Sequence, residues 1–119
     1  MLKVMLLIKR KPGMSMEEFI DYYENVHAVG DKSGTGIRHY ERHYLRPAPY
    51  FIGGHVAEAE YDVLTEIWFD DRAAFDAVLT TAAGNPDWVA TVAADEENFM
   101  DRPRCRAAFV ESRDTDLGA

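Results

Sequence analysis

The sequence has almost no cysteine: Cys105 stands alone in 119 residues. One thiol cannot close an internal disulfide, and a lone cysteine fits a reducing, cytoplasmic setting. Cys105 itself reads as a small half-buried strand residue rather than a nucleophile. Positive charge is also scarce. Thirteen Lys and Arg stand against 21 Asp and Glu, giving a net charge of -8. An acidic surface repels phosphate backbones, which excludes nucleic acid as a partner. The one basic run, Lys9-Arg10-Lys11, reads as a solvated strand end. No apolar run approaches the roughly 18 residues needed to span a bilayer, so no membrane partner is expected. Met1 to Ile8 is apolar but short for a secretory signal, and its basic residues follow rather than precede it. There is no GxGxxG motif opening a βαβ unit and no P-loop, so nothing points to a nucleotide or flavin.

What the chain does have is apolar and aromatic content, 47% and 12% of residues, enough for one packed core in one domain spanning 1–119. Leu2 to Lys9 is a near-continuous apolar run and reads as a strand buried on both faces. Pro12-Gly13 turns the chain. Ser15 and Glu18 then have the spacing of a capping box, with Phe19, Ile20, Tyr23, Val26 and His27 along one stripe of a helix that stops near Gly30. Gly36 to Arg46 alternates as a strand: Ile37, His39, Glu41, His43 and Leu45 on one face, Arg38, Tyr40, Arg42, Tyr44 and Arg46 on the other. Pro47 to Glu60 reads as a long loop, and Tyr61 to Phe69 as the third strand. Asp70-Asp71 caps a helix with Phe75, Val78 and Leu79 inward; Gly84-Asn85-Pro86 breaks it. A further helix covers Asp87 to Met100, with Trp88, Val92, Asp95 and Phe99 on one stripe. Arg104 to Glu111 is the last strand, and the tail from Ser112 is frayed. The order β-α-β-β-α-β predicts an α+β, ferredoxin-like fold with a four-stranded antiparallel sheet and helices on one face. Because the first strand is apolar on both sides, the other face predicts a partner subunit and a homodimer joined sheet to sheet.

Several segments together resemble the EthD-like domain, a branch of the dimeric α/β-barrel superfamily. They are Lys3 to Lys11, then Phe19, Tyr23 and His27, then Arg38-His39-Tyr40, Glu66-Ile67-Trp68-Phe69, and Asp95 to Asp101. The resemblance spans roughly Lys3 to Glu111. It implies a dimeric barrel. The family takes its name from ether degradation and includes polyketide-tailoring dehydratases; superfamily cousins include lactone isomerases, cofactor-free monooxygenases and haem enzymes. One departure is local: the helical histidine of the family is commonly followed by Ala-Pro, and His27 is followed by Ala28-Val29.

Two residues stand out as candidate chemistry. His27 lies on an apolar stripe near a helix C-terminus, where it is either a general acid or base or a core histidine bonded to a carbonyl. Asp95 lies on the inner stripe of the late helix, where an unpaired carboxylate is costly. It either orients His27 or ties the helix to a loop or strand. His39, Glu41 and His43 invite a metal, but residues two apart in a strand are about 6.6 Å apart and those four apart, such as His39 and His43, about 13 Å. No metal is therefore expected, and a polar pocket face is the reading kept. Tyr40, Tyr44, Tyr61, Trp68 and Trp88 suit the lining for a flat aromatic ligand. Glu66 is either a pocket acid or an ion-pair partner of Arg38 or Arg42.

The leading expectation is a small cofactor-independent enzyme of lyase, isomerase or cyclase type. It would perform dehydration, cyclisation or isomerisation on a hydrophobic, aromatic or polyketide-like substrate, with His27 and Asp95 catalytic. No cofactor is expected, although one axial histidine would leave no spacing signature, so haem stays open. The rivals are a cofactor-free or haem-linked monooxygenase and a non-catalytic ligand-binding dimer.

Overall fold

The computed structural model describes residues 1–27, 35–48, 53 and 58–118. Four strands, β1 (Leu2–Ile8), β2 (Ile37–Tyr44), β3 (Val63–Phe69) and β4 (Arg106–Phe109), form one sheet in the order β2-β3-β1-β4. Every pairing is antiparallel. Helix α1 (Met16–Tyr22) lies between β1 and β2, and α2 (Arg72–Ala83) and α3 (Pro86–Glu97) lie between β3 and β4. This is the ferredoxin-like plan, and no helix of the described residues is long and apolar enough to cross a membrane.

Local chemistry explains the element ends. Pro12 and Gly13 are the central residues of a turn closed by Met14 N–H on Lys11 O, and Gly13 takes the φ of 83° that only glycine adopts cheaply. The capping box forms as expected: Ser15 Oγ accepts from Glu18 N–H, and Glu18 Oε1 accepts from Ser15 N–H, both at 3.1 Å. Asp71 caps α2 through Ala74 N–H, and Asn85, followed by Pro86, caps α3 through Trp88 N–H. Gly36 has φ 79°, and a Cβ there would sit 2.9 Å from Ala74 Cβ, so any side chain would push α2 off the sheet edge.

The core fills only the helix side of the sheet. One cluster joins Ile8, Phe19, Tyr23, Val63, Phe99 and Met100 beneath α1, and a second joins Val4, Ile67 and Phe69 beneath α2. Strand β1 is thus fully buried on one face alone, at Val4 and Ile8; its other face keeps Met5 and Leu7 half-exposed within one chain.

Five expectations need correction. The α1 stripe does not continue to Val26, which is 50% exposed. From Tyr23 to His27 the helix widens to a π-helical turn. Each residue there advances less around the axis, so His27 stays beneath Tyr23 while Val26 falls behind onto the solvent side. Ile37 does not share a face with His39, because a bulge in β2 between them flips the alternation and tucks Ile37 against the second cluster. Leu79 is exposed, since the inward stripe of α2 is Ala74, Phe75 and Val78. The last helix ends at Glu97, and Phe99 and Met100 are buried by a chain reversal in which Phe99 O accepts from Lys11 N–H. Strand β4 is shorter than expected, because Arg102–Arg104 forms a 3₁₀ turn that leaves Cys105 half-buried just before the strand. The expected stop of α1 near Gly30, and Gly54 in the long loop, lie outside the described residues.

Glu24 ties the π-helical turn to β2. Arg42 donates to both of its oxygens at 2.8 and 2.6 Å, and Tyr44 donates to one at 2.6 Å.

Two outcomes follow. Phe19→Ala should lower the unfolding free energy by about 3–5 kcal/mol, whereas Val26→Ala should change it by no more than about 0.5 kcal/mol. Urea titrations of the two variants check this, and equal losses would contradict the π-helical placement. The Arg42 hydrogen bonds hold the Glu24 carboxyl below its ordinary 4.5, against the opposing effect of burial. A depressed carboxylate stabilises the fold above its unfolded value, and that contribution disappears as pH falls through the folded value. The stability gap between the native chain and Glu24→Gln should therefore be present at pH 7 and close below about pH 4, as read by denaturation midpoints across that range.

Candidate functional site

The turn that exposes Val26 also builds the site. In an α-helix Tyr22 and His27, five residues apart, would diverge by about 140° around the axis. The π-helical turn brings them to one carboxylate. Tyr22 donates its hydroxyl to Asp95 Oδ1 at 2.6 Å, and His27 Nδ1 lies 2.5 Å from Asp95 Oδ2. Asn98, one turn beyond Asp95 at the end of α3, donates to the Tyr22 oxygen at 3.0 Å. The site thus spans α1 and α3, held together by the packing of Phe99 against Tyr22 at 5.0 Å and against His27 at 4.9 Å. Tyr23 stands edge-on to the His27 ring at 5.2 Å.

The electrostatics assign the proton. Burial pushes the Asp95 carboxyl up, but the hydrogen bonds from His27 and Tyr22 outweigh it and hold the group below its ordinary value. Asp95 is ionised at neutral pH and can only accept. His27 Nδ1 must therefore carry the hydrogen, which leaves Nε2 as the nitrogen free for chemistry. The His27 side chain is 24% exposed, so the ring is neither sealed nor open.

Beneath this relay lies a layer of phenols. Tyr23, fully buried, bonds Thr65 Oγ1 of β3 at 2.6 Å and lies 3.4 Å from the Tyr40 hydroxyl. Burial raises the phenols of Tyr23, Tyr40 and Tyr44, so all three are neutral near physiological pH. They can offer hydrogen bonds but not act as bases.

The remaining expected site residues do not join this group. His39, His43, Glu66 and Trp68 project from the opposite, open face of the sheet. There the His39 ring packs at a tilt against Trp68, centroids 4.6 Å apart, Lys3 Nζ lies 4.7 Å from the centre of the Trp68 ring, and Trp68 Nε1 donates to Glu66 at 2.6 Å. Trp68 therefore does not line the space between sheet and helices. Glu66 pairs with neither arginine: Arg38 is held by Asp70 and Arg42 by Glu24. Tyr61 precedes β3 and lines a cavity of about 330 Å³ with Arg10, Met16 and Asp62. Trp88, 54% exposed, borders a groove of about 430 Å³ between α2 and α3 with Val78 and Ala82. Tyr50 and Phe51, which the sequence offers as further aromatic surface, lie outside the described residues. Sequence reasoning missed Tyr22, Asn98 and Thr65. Tyr22 has the wrong helical spacing to be paired with His27, and only the π-helical turn corrects it.

Comparison with known proteins agrees with the fold. An EthD family protein of Bacillus halodurans superposes with a TM-score of 0.61 at 18% identity, covering 95% of this chain and all of the other. The Arabidopsis thaliana protein At3g17210 superposes with a TM-score of 0.51 at 14% identity, covering 98% of this chain and all of the other. No curated protein matches the chain. The model of the EthD domain matches residues 11–103, a span that contains α1, α2 and α3 with their caps and the relay of Tyr22, His27 and Asp95, and the chain belongs to the EthD domain family.

Proposed function

We propose that the chain is a small cofactor-independent enzyme that performs acid-base chemistry on a hydrophobic small molecule of aromatic or polyketide-like character. The observation that carries this reading is the Tyr22–Asp95–His27 relay. An ionised carboxylate on Nδ1 fixes the imidazole tautomer and stabilises the imidazolium once Nε2 has taken a proton. Nε2 then returns the proton to a leaving group or a neighbouring atom, the exchange needed for dehydration, cyclisation or isomerisation. Tyr22 supports the relay by holding the second carboxylate oxygen. The aromatic character of the substrate rests on the rings around His27, namely Tyr22, Tyr23 and Phe99.

The same reading includes a homodimer joined through the open sheet face. Met5, Leu7, Leu64 and Trp68 are half-buried there, and no helix of the described residues covers them. A second sheet would cover them.

Native mass spectrometry of protein purified from cells, followed by turnover of whatever ligand it carries, tests the chemistry. His27→Ala should lower kcat by about 10²–10⁴-fold, and Asp95→Asn should do so less severely while shifting the pH profile. Unchanged turnover in both variants would refute the assignment, release of an unaltered ligand would favour a carrier, and a haem absorption band would favour the oxygenase. Light scattering should give twice the 13.5 kDa chain mass, reduced to one chain by Leu64→Lys; a native monomer would refute the dimer.

A further inference from the structure

The open face of the sheet holds a second cluster of titratable groups that the relay does not use. Glu41 of β2 and Glu66 of β3 are direct cross-strand partners. Like charges set opposite each other destabilise a sheet pair unless something positive lies between them. His43, two residues along the same face of β2, turns its Nε2 toward both: 3.2 Å from Glu41 Oε1 and 3.5 Å from Glu66 Oε1. That nitrogen is shut off from water, yet it makes no aligned hydrogen bond with either oxygen. A buried nitrogen without a hydrogen-bond partner, facing two carboxylates, is a donor set arranged around a point rather than along a bond.

We propose that Glu41, His43 and Glu66 form a site for one divalent transition-metal ion on the open face of the sheet. One ligand atom from each lies within 4.8 Å of the others. Bonds of about 2.1 Å to nitrogen and carboxylate oxygen place neighbouring tetrahedral ligands about 3.4 Å apart, close to the 3.2 and 3.5 Å separations at His43. The strand-spacing argument against two histidines on one ion does not apply, because His43 is the one histidine of the set: Glu41 reaches to 3.2 Å of its Nε2, and Glu66 comes from the neighbouring strand.

The surroundings hold the ligands in place. Trp68 Nε1 donates to Glu66 Oε2, which leaves Oε1 for the ion. His39, packed at a tilt against Trp68, brings its Nε2 within 3.5 Å of Glu41 Oε1 and 4.0 Å of Glu66 Oε2, beside the carboxylates but outside the ligand set. An imidazole with two carboxylates suits Zn²⁺ or Co²⁺. Three protein ligands leave a coordination position open for water or a ligand.

Tag-free protein stripped with EDTA and dialysed, then titrated with Zn²⁺ by calorimetry and with Co²⁺ by visible absorption, tests this. One ion per chain is expected. Binding should weaken at least about tenfold in both Glu66→Gln and His43→Ala, with circular dichroism unchanged, and should persist in His27→Ala. Three results would each overturn the proposal: no uptake by the native chain, uptake indifferent to both open-face substitutions, or uptake lost in His27→Ala.

Discussion

Tyr23 and Thr65 are both fully buried, and each is the other's hydrogen-bond partner at 2.6 Å. A phenol and a hydroxyl sunk this deeply are tolerable only while that bond is made, since an unpaired buried polar group costs about 1–3 kcal/mol. The bond pins the last turn of the first helical segment to the centre of β3. Tyr23 is also the first residue of the π-helical turn, which ends at His27 with the imidazole against the Tyr23 ring. The placement of the candidate base thus depends on a contact between the helix and the middle of the sheet, well separated in sequence.

The other half of the site arrives from the late helix. Phe99, with no exposed surface, packs against Tyr22, Tyr23 and His27. Its position sets where Asp95, one turn earlier, meets the first helical segment. Burial works against an ionised Asp95, and two donors restore the balance. Packing and hydrogen bonding therefore act together: apolar contacts hold the end of α3 against α1, where the carboxylate has the partners that keep it charged.

The two faces of the sheet carry different chemistry because strand alternation segregates it. On β2, Tyr40, Arg42 and Tyr44 point toward the helices and meet Tyr23 and Glu24, whereas His39, Glu41 and His43 point away and meet Glu66 and Trp68. A single pocket containing both sets is ruled out by the sheet itself. The helix face supports the proton relay, and the open face supports the proposed ion site and the proposed subunit contact.

Read alone, the sequence determined much of the architecture. The capping box at Ser15 and Glu18, the Pro12-Gly13 turn, the period-two alternation from His39 to Leu45 and the breaker at Gly84 to Pro86 are local signals, set by nearest neighbours and backbone geometry. They suffice for element order and hence for the ferredoxin-like plan. The pairing of His27 with Asp95 was also within reach, because each stood as a polar residue on an apolar stripe and needed a partner. Tertiary structure alone decided the rest. The π-helical turn begins at Tyr23, which the buried bond to Thr65 fixes against β3, and this turn brings Tyr22 into the relay and leaves Val26 exposed. The bulge beside Ile37 arises from pairing with β3, and it moves Ile37 to the core. The convergence of Glu41, His43 and Glu66 depends on the register between two strands about twenty residues apart. Each of these is a long-range contact whose energy is absent until the chain has folded, so no periodicity or local propensity could carry its signature.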